Sequence, residues 1–209
     1  MSLFITLGNY TITISQEIEL SHRRLAASIL QEMRLSEVDK TNRLIEATVY
    51  YLDQLDDILD KRAVTLNGIE KNYKDDPKEK DSQIVKAYEI ARDKYLPLKR
   101  MYVDKLENDL TPYQVERVKD GLTYDAFPNF HHMYLEMVPG LKPGEKAHIL
   151  ALLVEGRENA MLAVNKEGQT QWWDKYRGII NNYIASQGYD FGKLSKTWDK
   201  ANADKEWAN

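Results

Sequence analysis

Residues 172–190 read WWDKYRGIINNYIASQGYD and place two tryptophans, three tyrosines, two adjacent asparagines and an arginine in one short segment. At about 100° per residue, Trp172, Tyr176, Ile179, Ile180, Tyr183 and Ile184 fall on one broad apolar face, the pattern of a helix packed into a bundle. Asp174, Arg177 and Asn181 share a second row, and Lys175, Asn182 and Ser186 a third. The apolar face predicts core. The polar rows have two readings: solvent exposure with interhelix hydrogen bonds, or a ligand site. In the second, amides and Arg177 bind hydroxyls while Trp173 or Tyr189 offers a ring face.

The helical period extends outward from this segment. Between about residues 36 and 70, Ile45, Val49, Leu52, Leu59, Ala63 and Leu66 form a stripe, with Asp53, Asp56, Asp57, Asp60 and Lys61 on the other side. After the polar run KNYKDDPKEKD, Ile84, Tyr88, Ala91, Tyr95, Leu98, Tyr102 and Leu106 resume it. An antiparallel hairpin over residues 36–109 follows, with its exposed turn at Asp75–Pro77 and a kink predicted at Pro97. Thr111, Pro112 and Gln114 spell a capped helix start that Leu110 and Val115 staple. Weaker copies occur at Leu35 and at Leu141, the latter with Pro143 and Glu145. Further helices are expected from about Pro143 to Asn165, Gly168 to Gln187 and Phe191 toward Trp207, broken at Pro139-Gly140 and Gly188. The predicted fold is all-α: one domain over 1–209, a long hairpin, and a C-terminal bundle over 110–207. Residues 1–20 are expected to be irregular, although the alternation from Phe4 to Ile14 also fits a short strand.

Composition narrows the function classes. With 29 basic and 33 acidic residues the net charge is -4, which argues against a general electrostatic grip on nucleic acid. The absence of cysteine excludes disulfides and thiolate chemistry and suits a reduced cytoplasm and a periplasm equally. No apolar stretch approaches the ~20 residues of a membrane-spanning helix. The opening MSLFITLGNYTITIS lacks the parts of an intact secretory signal. The favoured expectation is a periplasmic or secreted protein whose signal has been removed, Met1 to Leu3 being an added start; a cytoplasmic protein is the alternative.

Specific chemistries are sparse. His131 and His132 are adjacent, so their side chains diverge on a helix, and neither has a histidine four residues away to complete a zinc pair. No nucleophile elbow or glycine-rich phosphate loop occurs, so neither metal nor cofactor is expected. Asp120, Glu136, Glu155 and Glu158 are the carboxylates whose convergence would supply an acid and a base. Arg157, beside Glu158 and within reach of Asp120 or Asp190, reads more readily as an interhelix ion pair.

The segments VKDGLTYDAF, YLEMVPGLKPGEKAHILALLVEGRENAM and, above all, WWDKYRGIINNYIASQGYD resemble the domain of unknown function 3826 family, from about Leu25 to Trp198. Lys119, Asp120, Gly121, Thr123 and Tyr124 match its first block. Glu155, Arg157, Glu158, Ala160 and Met161 match the second, with Gly156 in place of the usual alanine. Lys175, Tyr176, Gly178, Asn181, Asn182, Tyr183, Gly188, Tyr189 and Asp190 match the third. The chain departs from the family at LAVNKEGQTQ and at Phe127-Pro-Asn-Phe. The resemblance implies an all-helical exported protein, of a family described as sugar-binding and found near carbohydrate-degradation functions.

Three function classes follow. A carbohydrate-binding or carbohydrate-utilisation accessory protein predicts a pocket lined by Tyr124, Trp173, Arg177, Asn181, Asn182 and Tyr189, holding an oligosaccharide or polysaccharide. A protein-interaction module predicts a broad apolar concavity, since the Leu-Thr-x-x-Gln pattern at Leu110–Gln114 is similar to that of small periplasmic helical chaperones. A glycan-active enzyme predicts convergent carboxylates.

Overall fold

The computed structural model describes residues 4–7 and 10–203, with side chains from residue 16 onward. Among these the order is two strands and eight helices, and the class is all-α. Residues 1–3 and 204–209, with the expected added start and the extension to Trp207, lie outside the described residues. The chain forms two compact units, Met1–Val118 and Lys119–Asn209. The division therefore falls inside helix α4, Pro112–Leu122, later than the sequence boundary at Asp109.

The first unit opens on β1, Phe4–Leu7, and β2, Tyr10–Thr13, which pair antiparallel with Phe4 opposite Thr13. Helix α1, Ile14–Glu32, follows directly, so the described part of residues 1–20 takes the strand alternative of the sequence reading and a helix start in place of an irregular segment. The helix forms because His22, Ala26, Ile29 and Leu30, at spacings of four, three and one, make a buried stripe. Helices α2, Val38–Asn72, and α3, Pro77–Asp109, are the predicted hairpin, each about 50 Å long. Asp76 caps α3 by accepting from the Glu79 amide, and Pro77 fills the first helical position. The helix continues through Pro97, whose missing N–H leaves the Asp93 carbonyl without its usual partner.

Burial along α2 differs from the predicted stripe. Leu44, Thr48, Tyr51, Leu52 and Leu55 carry the core, whereas Ala63 is exposed. Tyr51 stacks on Tyr102 of α3 with centroids 4.4 Å apart, and Thr48 Oγ1 lies 2.9 Å from the Tyr102 hydroxyl. Nor is the acidic side all open to water. Helix α1 packs on α2, placing buried His22 Nδ1 2.6 Å from Asp53 and Arg23 in a bidentate pair with Glu46.

The second unit holds the end of α4 and four further helices. These are α5, Ala126–Met137; α6, Pro143–Ala160; α7, Lys166–Ser186; and α8, Phe191–Ala201. Helix α6 packs between α5 and α7, and α8 packs on both α5 and α7. Tyr134, Ile149, Leu153, Ala160, Trp173, Ile180 and Ile184 form the centre of the core. Glycine at 188 has φ +90°, a conformation that ends α7 without a Cβ penalty.

Candidate functional site

The orientation of α7 decides which sequence candidates reach a ligand. Its buried residues are Gln169, Trp173, Tyr176, Ile180 and Ile184, spaced by four, three, four and four. This corrects the sequence reading, which put Trp172 and Ile179 in the core and left the Trp173 ring for a ligand. Trp173 is 4% exposed, its ring tilts against Phe130 at 5.3 Å, and its buried indole N–H has no acceptor among the described residues. Gly156 makes room for it: a Cβ there would stand 3.1 Å from both Trp173 Cζ3 and Tyr176 Cγ. Trp172, one residue away, is only half-buried. The helix is held in this register partly by Gln169, whose amide donates to the carbonyls of Leu122 and Ala163.

The other expected ligand residues are largely committed to the scaffold. Asn181 Oδ1 accepts from the hydroxyl of fully buried Tyr134 at 2.8 Å. Burial pushes that phenol above its ordinary pKa, so it remains a donor. Arg177 lies over the Phe130 ring at 5.2 Å and pairs with Asp174 at 3.4 Å. The Tyr189 hydroxyl sits 2.7 Å from the Gly140 carbonyl and 2.8 Å from Glu145, fastening the Pro139-Gly140 break. Glu145 also accepts from the Lys142 amide at 2.8 Å, completing the helix start predicted at Leu141. Asn182 is exposed on α7, and Tyr124 is exposed in the turn between α4 and α5. Tyr124 and Asp125 both have left-handed backbone, φ +54° and +53°, held by amides donating to the carbonyls of Gly121 and Asp120. The six residues thus have different surroundings: two are core or clamp, two brace α5, and two stand at the surface.

Among the four candidate carboxylates, Asp120 and Glu158 share Arg157, at 2.6 and 4.0 Å, while Glu136 and Glu155 have other partners. Asp120, buried, accepts from the buried Arg157 guanidinium at 2.6 Å, the ion pair anticipated from sequence. Arg157 also lies over the Phe127 ring at 4.8 Å, so a residue at which the chain departs from the family, in the first turn of α5, packs on the motif arginine. Glu158 pairs with Lys119 at 3.0 Å. Glu136 receives Trp198 Nε1 at 3.4 Å and stands 3.1 Å from His132 Nε2. Glu155 belongs to a different arrangement.

Asn159 Nδ2 donates to the Tyr176 hydroxyl at 2.9 Å, and that hydroxyl donates to Glu155 Oε1 at 2.7 Å. Burial, then the carboxylate, pushes the Tyr176 phenol up to about 12, fixing it as the donor. Lys175 Nζ is 5.1 Å from the Trp172 ring and 5.8 Å from that of Tyr176. One α6–α7 face therefore carries an indole, an ammonium, a carboxylate and an amide, the last two joined by the buried Tyr176 phenol beneath them. Sequence reasoning missed Trp172, Lys175, Tyr176 and Asn159 as site residues. The recoverable signal was spacing: Glu155 and Asn159 are one turn apart on α6, as are Trp172 and Tyr176 on α7.

These observations define an all-α protein with a polar-aromatic face built on two packed helices. The profile of the family described as "Protein of unknown function (DUF3826)" matches residues 20–203, and the chain belongs to that family. No curated protein matches the chain.

Proposed function

We propose that this chain is a carbohydrate-binding accessory protein of glycan utilisation, working in the periplasm or outside the cell, and that its ligand meets the α6–α7 face. The observation carrying the reading is the Asn159–Tyr176–Glu155 chain of hydrogen bonds beside the half-buried Trp172 ring. Sugars offer an apolar ring face to aromatics and vicinal hydroxyls to fixed donors and acceptors. The face supplies both, and its polar groups are held by contacts between helices rather than by loops. No helix among the described residues is long and apolar enough to cross a membrane. The test is calorimetric titration with pectic, hemicellulosic and host oligosaccharides. Trp172→Ala and Glu155→Gln should each weaken a hit at least about tenfold, roughly one lost ring or charged hydrogen-bond contact. Unchanged affinity in both variants would remove the α6–α7 face from the proposal.

A second reading, a protein-interaction module, is favoured by apolar side chains left in water on the hairpin. Val64 is 72%, Ile90 59% and Val85 56% exposed. Suppression of aggregation of a denatured client, lost on replacing these three by serine, would support it; no suppression by the parent would end it.

A further inference from the structure

The unit Met1–Val118 carries a small groove of about 100 Å³ between α2 and α3, in the half of the hairpin nearer its turn. Its floor is apolar, from buried Ala87 and Ala91 with Ile58 beside them. Three cations also line it, Lys61 and Arg62 from α2 and Lys94 from α3, and no carboxylate does. Lys61 is already paired, its Nζ 2.6 Å from Asp57. Arg62 and Lys94 pair with no carboxylate among the described residues. Arg62 is half-buried, and its Cζ lies 5.0 Å from the centroid of the Tyr88 ring. That contact uses the flat face of the guanidinium and leaves its in-plane N–H donors unspent. One of them, Nε, is buried and has no acceptor among the described residues.

The chemistry of this lining selects a ligand class. With Lys61 neutralised by Asp57, two positive charges remain, one from each helix, over one small space. A buried charged donor without an acceptor is a cost that an incoming oxygen removes. A phosphate group brings close to two negative charges at neutral pH, and its several oxygens suit both the guanidinium fork and the point charge of a lysine. A carboxylate would neutralise only one of the two cations. The space is about three times a water's ~30 Å³ share, enough for one four-oxygen group and too little for a whole organic ligand. We propose that this groove is a phosphate site, taking the free ion or the phosphoryl end of a monoester whose organic part projects from it. It shares neither residues nor ligand class with the α6–α7 face, so each can fail alone.

The experiment is calorimetry of the full chain with inorganic phosphate, phenyl phosphate and acetate at neutral pH. Ionic strength is held fixed, so that screening is equal in every titration and differences between anions report the site. The parent is compared with Arg62→Met, Lys94→Met and Lys86→Met; Lys86 is exposed on α3 outside the lining and controls for general loss of charge. Lys94 is exposed too, so Lys94→Met should keep the parent melting curve even if Arg62→Met, which gives up the Tyr88 contact, does not. The expected result is one equivalent of bound phosphate, weakened about tenfold or more by Arg62→Met and by Lys94→Met and unchanged by Lys86→Met. Tighter binding of phenyl phosphate than of phosphate would assign the site to a monoester, and the reverse order to the free ion. No saturable binding of either by the parent would overturn the proposal. Equal losses in all three variants, parent-like titrations in both groove variants, or acetate held as tightly as phosphate would overturn it as well.

Discussion

Alanine at Trp172 and at Trp173 should have opposite consequences, although the two residues are adjacent and identical. Trp173 is 4% exposed and touches Phe130, while its neighbour Gly156 has no side chain with which to refill a void. Truncating such an indole costs about 3–5 kcal/mol, through lost transfer free energy and the cavity left behind. In a cooperative unit of under about 100 residues, each kcal/mol shifts Tm by roughly 4–8 °C, so Trp173→Ala should lower the unfolding midpoint of its unit by at least ~12 °C. Trp172 is half-buried against the core, with Lys175 Nζ 5.1 Å from its ring, an interaction worth about 0.5–1 kcal/mol at an exposed site. Trp172→Ala forfeits only part of an indole's packing and should therefore lower Tm clearly less than Trp173→Ala, while weakening any glycan that meets the α6–α7 face. Circular dichroism melts and urea titrations of both variants, followed by calorimetry with the same oligosaccharide, separate the two effects. A Trp172 variant that unfolds as early as the Trp173 variant, or a Trp173 variant that melts like the parent, would refute the assigned register of α7.

Arg157→Met should be more damaging than Asp120→Asn, because it removes the guanidinium that both bonds Asp120 and lies over the Phe127 ring, whereas asparagine keeps an oxygen acceptor for Arg157. The expected loss for Arg157→Met is about 3–5 kcal/mol by urea unfolding. Asn181→Ala should cost about 1–3 kcal/mol, because the Tyr134 hydroxyl loses its short acceptor, whereas Asn182→Ala on the exposed side should be neutral or slightly stabilising in the same assay. The Lys142 amide, then the Tyr189 hydroxyl, hold the Glu145 carboxyl below its ordinary value. Its stabilising contribution is thus present above the unfolded carboxylate pKa and lost as pH falls through the lowered folded value. Glu145→Gln and Tyr189→Phe should both flatten the dependence of Tm on pH between about 5 and 3, and a slope as steep as the parent's in both would count against the clamp.

Sequence alone sufficed where a few neighbouring residues settle the structure. At the start of α4, the Thr111 amide donates to Gln114 Oε1 at 3.0 Å and the Gln114 amide to Thr111 Oγ1 at 3.3 Å, as the pattern predicts. Asp76 and Pro77 define the hairpin turn by equally local means. The site was less legible because two adjacent tryptophans give two helical faces about 100° apart, and no local preference chooses between them. Phe130 and Gly156 make that choice from other helices. Gln169 obscured it further, since a buried glutamine that satisfies the carbonyls of Leu122 at the end of α4 and of Ala163 looks on a helical wheel like a solvent residue. Helix α5 was not among the helices expected from sequence; its Pro128 lies in the first turn, where the missing N–H costs no helical hydrogen bond.

Motif polarity does not by itself mark a ligand site. Asp120 with Arg157, Tyr134 with Asn181, and Glu145 with Tyr189 each join separate parts of the second unit through a bond of 2.8 Å or less. Such pairs define packing, because a misplaced helix would strand a buried charge or hydroxyl. Their contribution to binding is indirect: they hold α5, α6 and the end of α7 while engaging the groups that a free peptide would have offered to ligand. The Glu155–Tyr176–Asn159 chain differs in its surroundings. It also joins two helices, but Glu155 is exposed, and Lys175, which lies over the Trp172 ring, stands 5.8 Å from the ring of Tyr176. A solute can therefore exchange water for contacts with this face without breaking the helix pairing, whereas at the buried pairs binding would require the bundle to open. That difference makes the α6–α7 face, rather than the asparagine row first suggested by the sequence, the place where substitutions should change affinity without changing the fold.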